Sequence, residues 1–200
     1  MAGSRSRYEV FVAVDRFKFT ASHFIAFRGY RERLHGHNYS VSLRLVGGDA
    51  LGADGYVVDF GEIKTVVAAI CRELNEHFIL PARSDALRTT HDAVGKSWTI
   101  ECEDGSRFVL PESDVAALPI VHSSAEEIAA HLWTRVVDAF SRERLLARGI
   151  SEVEVTVAEA PNQQASFRRS PALPRAAGGE GSRVGAPCLT PPALPTEERS

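Results

Sequence analysis

His35-Gly36-His37-Asn38-Tyr39-Ser40-Val41-Ser42-Leu43-Arg44-Leu45-Val46 is the stretch that decides how this chain folds. Tyr39, Val41, Leu43 and Leu45 recur at every second position, the period of a strand with one buried face. Upstream, residues 8 to 26 are rich in β-formers, first Val10, Phe11, Val12 and Val14 and then Phe17 and Phe19. The two segments read as a long antiparallel pair of strands.

Downstream the period changes. Between Asp59 and His77, Ile63, Val66, Val67, Ile70 and Leu74 recur at helical spacing, and Asp59 with Glu62 three residues later forms a start signal. Ser124 with Glu127 repeats that signature ahead of Ile128, Leu132, Val136, Val137 and Phe140, which predicts a second amphipathic helix. Val153, Val155 and Val157 mark a strand over residues 152 to 159. Residues 98 to 101 and 107 to 110 flank Asp104-Gly105 as an inserted hairpin. The order implies an α+β domain with two helices packed on one face of an antiparallel sheet.

From Pro171 onward the composition shifts: six of the ten prolines lie there, with four glycines and little aliphatic periodicity. Such a segment buries too little apolar surface to offset its ordering entropy. The expected organisation is one domain over residues 1 to 170 and a disordered tail over 171 to 200. A net charge of −3 without a basic stretch argues against nucleic acid as a partner. No apolar run of membrane-spanning length occurs, and three widely spaced cysteines do not suit a disulfide framework, so a soluble protein of the cytoplasm is expected. Cys71 reads as helix core, Cys102 borders the hairpin and Cys188 lies in the tail, so none is a good nucleophile.

Two sets of polar residues break the apolar pattern. His35 and His37 share the face of Tyr39, Val41, Leu43 and Leu45, and His23 shares the parity of Phe17, Phe19 and Ala21 on the preceding strand. On pattern alone these are either hydrogen-bonded core histidines or three ligands of a catalytic metal with an open fourth position. Glu159 continues the parity of Val153, Val155 and Val157. Unless the strand ends before it, as nearby Pro161 would allow, a carboxylate points into the apolar face and calls for a donor-rich partner. A guanidine-like ligand edge, as in a pterin, would be one. Locally, His77 and Glu76 read as residues closing the first helix. Ser124 reads as an N-cap, and Glu126 as a first-turn carboxylate.

A wider constellation changes their weight. His35-Gly36-His37-Asn38-Tyr39, with Phe19-Thr20-Ala21-Ser22-His23 before it, resembles the zinc site of the 6-pyruvoyl-tetrahydropterin synthase family, which includes the 6-carboxytetrahydropterin synthases. Val58-Asp59-Phe60-Gly61-Glu62-Ile63-Lys64, Leu74-Asn75-Glu76-His77, Ser124-Ala125-Glu126-Glu127-Ile128-Ala129 and Glu159-Ala160-Pro161 resemble further elements of that family in the same order, over about residues 8 to 168. The resemblance implies the tunnelling fold (T-fold), a homohexamer with sites at subunit boundaries, and zinc held by His23, His35 and His37. It also implies pterin anchored by Glu159, with Ser124 and Glu126 on the substrate side, and a proton-transfer pair in Glu76 and His77.

One departure stands out. The family's catalytic cysteine would fall at Gly29 or Arg31, and neither is a thiol. Glu32-Arg33-Leu34-His35 instead resembles a subgroup in which glutamate replaces that cysteine, which makes Glu32 the expected general base. The implied reaction is cleavage or rearrangement of the side chain of 7,8-dihydroneopterin triphosphate. The product would be 6-pyruvoyl-tetrahydropterin or, with glutamate as base, the folate precursor 6-hydroxymethyl-7,8-dihydropterin. The alternative is a non-catalytic zinc- and pterin-binding relative.

Overall fold

The computed structural model describes residues 6–172. The expected tail, with Cys188, lies outside the described residues apart from Pro171 and Ala172. The region expected as one strand over residues 8 to 26 divides into β1 (Glu9–Val12), β2 (Lys18–His23) and β3 (Ala26–Phe27), and β4 (Tyr30–Arg31) closes a short hairpin with β3. β5 (His35–Val46) is the twelve-residue strand that organises the sheet. One of its edges takes β1 at the Val46 end and β2 at the His35 end, both antiparallel.

α1 (Phe60–Leu74) starts where expected, with the Asp59 carboxylate accepting from the Glu62 amide at 2.9 Å. It ends earlier than expected: Asn75 is the C-cap, and Glu76 takes a left-handed φ of 62°. That conformation costs a side-chain-bearing residue about 1–2 kcal/mol. It lets Asn75 accept from the Thr20 amide while the Glu76 amide donates to the Thr20 carbonyl. His77 therefore does not close a helix; it opens β6 (His77–Pro81), which lies parallel to β2.

The inserted hairpin is larger than its sequence suggests. β7 (Leu87–Asp92), β8 (Ser97–Cys102) and β9 (Arg107–Pro111) form a separate three-stranded antiparallel sheet. β10 (Val115–Leu118) returns to the main sheet parallel to β6. Two parallel pairings thus join an otherwise antiparallel sheet. α2 (Ala125–Phe140) and a short α3 (Arg142–Ala147) precede β11 (Glu152–Ala160), and β12 (Gln163–Arg169), absent from the sequence reading, pairs along its outer edge. The main sheet has seven strands in the order β10-β6-β2-β5-β11-β12, with β1 also on β5.

The core lies between one face of this sheet and the two long helices. Phe17, Phe19, Tyr39, Val41, Leu43, Leu45, Val153, Val155 and Val157 meet Ile63, Val67, Ile70 and Leu74 of α1 and Ile128, Leu132, Val136 and Phe140 of α2. Each fully buried aliphatic side chain contributes about 1.5–3 kcal/mol. Trp133 adds a bond from its indole Nε1 to the Val153 carbonyl at 2.9 Å, so its polar atom is satisfied where it is buried. On the opposite face the nearly buried Glu154 carboxylate is paired with Arg44 and Arg168. A second, smaller core of Phe24, Phe78, Leu80 and Ile100 joins the three-stranded sheet to the body. Among the described residues, no helix is long and apolar enough to cross a membrane.

Candidate active site

The helices do not cover the whole of β5. Burial stops short of its first residues, leaving His35 exposed and His37 half-buried, whereas His23 on β2 is only 2% exposed. The antiparallel register sets His23 directly opposite His35 and Ala21 opposite His37. Across a sheet, opposed residues project to the same side, so the three imidazoles gather with one ligand atom from each within 4.8 Å of the others. Gly36 lets the strands close here: a Cβ at that position would stand 3.1 Å from the Ala21 carbonyl oxygen.

The hydrogen bonds of these rings show what they can bind. His23 Nδ1 lies 2.8 Å from the Ser123 carbonyl and His35 Nδ1 lies 2.8 Å from the Arg33 carbonyl. A carbonyl only accepts, so in both rings Nδ1 carries the proton and Nε2 presents its lone pair. His23 Nε2 is the one buried side-chain polar atom among the described residues that has no partner. Burial, opposed in part by the Ser123 bond, holds His23 below its ordinary pKa of 6.5, with His35 and His37 adding to the lowering. An orphaned, neutral, buried nitrogen beside two further imidazoles fits a metal ion, and such a donor set suits zinc, copper, iron or nickel.

A hollow of about 240 Å³ opens beside His23 and His35. Glu32, Ser124, Glu126 and Glu159 line it, so four of the six residues singled out beyond His23, His35 and His37 share one cavity. Glu32 is tied to Ile25 twice: its amide donates to the Ile25 carbonyl at 2.9 Å, and its carboxylate Oε2 accepts from the Ile25 amide at 3.0 Å. Ser124 is the N-cap of α2. Glu127 does not bond back to the cap residue as in a capping box; its carboxylate accepts from the Val121 and His122 amides, holding the segment that carries Ser123 against His23.

β11 continues through Glu159 to Ala160, so the strand does not end before this carboxylate. Glu159 falls at a bulge, where the register with β12 shifts between Ala158 and Ala160. A bulge re-aims a side chain, and here the Tyr39 hydroxyl donates to Glu159 at 3.4 Å.

Glu76 and His77 are elsewhere. They border a separate hollow with Thr20, Ser22, Gly36 and Asp114, and His77 Nδ1 is held by the Asn75 carbonyl at 2.7 Å. Sequence reasoning passed over Ile25, Gln163 and Gln164, which also line the histidine cavity. The two glutamines had a signal available, because a turn after Pro161 would fold them back beside Glu159. Larger hollows of about 410 and 520 Å³ lie by Lys18 and Ser40 and by Arg88 and Glu101, and neither contains a histidine. Chemistry, rather than size, identifies the site.

A family model described as 6-pyruvoyl tetrahydropterin synthase matches residues 13–170, which span every residue of the cavity and most of the described fold. The chain belongs to the 6-pyruvoyl tetrahydropterin synthase family. It is accordingly an enzyme of the pterin synthase-like lyase class. The 6-pyruvoyl tetrahydropterin synthase of Plasmodium vivax is 41% identical over 82% of this chain and 99% of its own, with a TM-score of 0.78. The Plasmodium falciparum enzyme gives the same values. The P. vivax enzyme has also been solved as variants in which a catalytic residue, a glutamate, is replaced by alanine or cysteine. A putative 6-carboxy-5,6,7,8-tetrahydropterin synthase of Methanocaldococcus jannaschii is 29% identical over 152 residues, 76% of this chain and 90% of that protein. With these family members the T-fold architecture is established.

Proposed function

We propose that this family member is a zinc-dependent lyase that acts on the side chain of 7,8-dihydroneopterin triphosphate, with Glu32 as general base. The observation that carries the reading is a cluster of three histidine ligand atoms, two of whose residues, His23 and His35, line one hollow with Glu32 and Glu159. Zinc in His23, His35 and His37 would supply a Lewis acid for the side-chain oxygens of the substrate. Glu159 would take the two N–H groups of the pterin's guanidine-like edge in paired charge-assisted bonds. Gln163 and Gln164 offer amide donors and acceptors beside it, and Ser124 and Glu126 would meet the remainder of the substrate. Glu32 has one oxygen engaged by Ile25, which leaves the other for a side-chain proton.

The catalytic glutamate of the P. vivax relative supports a carboxylate in this role. With glutamate as base, the subgroup that this chain resembles would give 6-hydroxymethyl-7,8-dihydropterin in preference to 6-pyruvoyl-tetrahydropterin. The hollow is smaller than the roughly 300–1,000 Å³ usual for ligand sites. In the homohexamer that the family resemblance implies, a neighbouring subunit would complete the wall. Glu76 and His77, which line a different hollow of their own chain, would then serve a neighbour's site. Incubating zinc-loaded protein with 7,8-dihydroneopterin triphosphate and identifying the products by mass spectrometry tests the reading. Release of 6-hydroxymethyl-7,8-dihydropterin is expected; untouched substrate in the presence of bound zinc would overturn it.

A further inference from the structure

Glu32 does not hold its own position. In a regular hairpin, Ile25 and Glu32, the pair beyond Ala26 and Arg31, would exchange two backbone bonds. Only one is made, from the Glu32 amide to the Ile25 carbonyl. The Glu32 carbonyl is instead occupied by Arg31, whose Nη1 donates to it at 2.7 Å. The Ile25 amide, left without its usual acceptor, takes the Glu32 carboxylate.

Arg31 is itself gripped by the three-stranded sheet. Its Nε donates to Asp104 Oδ2 at 2.8 Å and its Nη2 to Ser106 Oγ at 2.9 Å, both in the β8–β9 turn. Its guanidinium carbon lies 5.6 Å from the ring centres of both Phe24 and Phe108. The side chain is 17% exposed, and the Phe24 and Phe108 ring centres lie 5.2 Å apart, so the planar group is held on its edges by hydrogen bonds and packs against this aromatic pair on one side. The same turn reaches the hairpin a second time, where the Gly29 amide donates to Glu103 at 2.8 Å.

We infer that Arg31 is a positioning residue for Glu32, and that Asp104 and Ser106 of the inserted sheet set, through it, where the catalytic carboxylate stands. Arg31 does not line the histidine cavity, so it acts without touching substrate. The inserted sheet thereby gains a function in the reaction beyond covering Phe24 and Phe78. The inference rests on the proposed role of Glu32.

Its test is steady-state kinetics of the full-length, zinc-loaded chain on 7,8-dihydroneopterin triphosphate, with zinc content and melting temperature measured on each variant. Arg31→Met is expected to lower kcat about tenfold, and Asp104→Asn and Ser106→Ala by about threefold each, since small displacements of a reacting group are costly. KM, zinc content and melting temperature should hold in the two turn variants, which leave the arginine against Phe24 and Phe108. Unchanged kcat in all three variants, or a fall matched by loss of zinc or a rise in KM, overturns the inference. Glu32→Gln separates the two claims: if it alone turns over at the unsubstituted rate, the base assignment fails before Arg31 is considered. If it is impaired while the Arg31 and turn variants are not, only the positioning inference fails.

Discussion

The His23 imidazole and the Ser123 backbone carbonyl are joined by a 2.8 Å bond made in the buried floor of the site. That bond commits Nδ1 and leaves Nε2 pointing its lone pair at His35 and His37. His23→Ala removes the most buried member of the triad. It should reduce bound zinc to a small fraction of one equivalent per chain, measured by elemental analysis after dialysis. Full retention of zinc would remove His23 from the ligand set.

Glu32→Gln keeps the size of the side chain and its bond to Ile25 but offers no basic carboxylate. Turnover of 7,8-dihydroneopterin triphosphate should fall on the order of a hundredfold or more, the usual contribution of a positioned general base. Zinc content should stay at the level of the unsubstituted protein.

Glu159→Gln replaces two charged acceptors with one neutral one. KM for the pterin, or Kd for a non-reacting pterin measured by calorimetry, should rise about tenfold or more, in line with the loss of a charged hydrogen bond. A change confined to kcat would place Glu159 in the chemistry instead of in recognition.

Gly36→Ala tests the close approach of β2 and β5. With backbone 3.1 Å from the new Cβ, the strands must separate by a few tenths of an ångström at the point where His23, Ala21, His35 and His37 are paired. Zinc affinity, read by competition with a chelator, should drop about tenfold, comparable to loss of an outer-shell contact.

Burial pushes the Cys71 thiol up from its ordinary 9.0 to about 12. A raised pKa for an acid that must stay neutral means that unfolded chains lose the proton first. The contribution of Cys71 to stability is therefore whole below pH 9 and disappears as the pH rises toward 12. Denaturant unfolding should show the gap between the unsubstituted protein and Cys71→Val narrowing over that range. At pH 8 Cys71 should resist alkylation until the chain is unfolded, as mapped by peptide mass spectrometry.

Much of the fold was legible because its determinants are local. The two-residue period of Tyr39, Val41, Leu43 and Leu45 placed β5, and the Asp59 and Ser124 signatures placed the starts of α1 and α2. β12 was not legible: Gln163–Arg169 has only Ala165 and Phe167 as apolar members, and its ladder exists because β11 offers an edge. The end of α1 at Asn75 departs from the helical spacing for a similar reason. Asn75 and Glu76 leave the helix to satisfy Thr20, a residue 55 positions from Asn75 in sequence.

By itself, the sequence determined the phase of the histidines, the parity of Glu159 and the pattern of motifs by which the chain resembles its family. Phase follows from the backbone period, which each segment carries with it wherever it lies. Only the tertiary structure decided that His23 faces His35, that Glu159 sits on a bulge, and that Glu32 is aimed by an arginine bonded 73 residues away at Asp104. Register and reach are properties of pairs of segments, and they are settled by which backbone groups find partners when the whole domain closes.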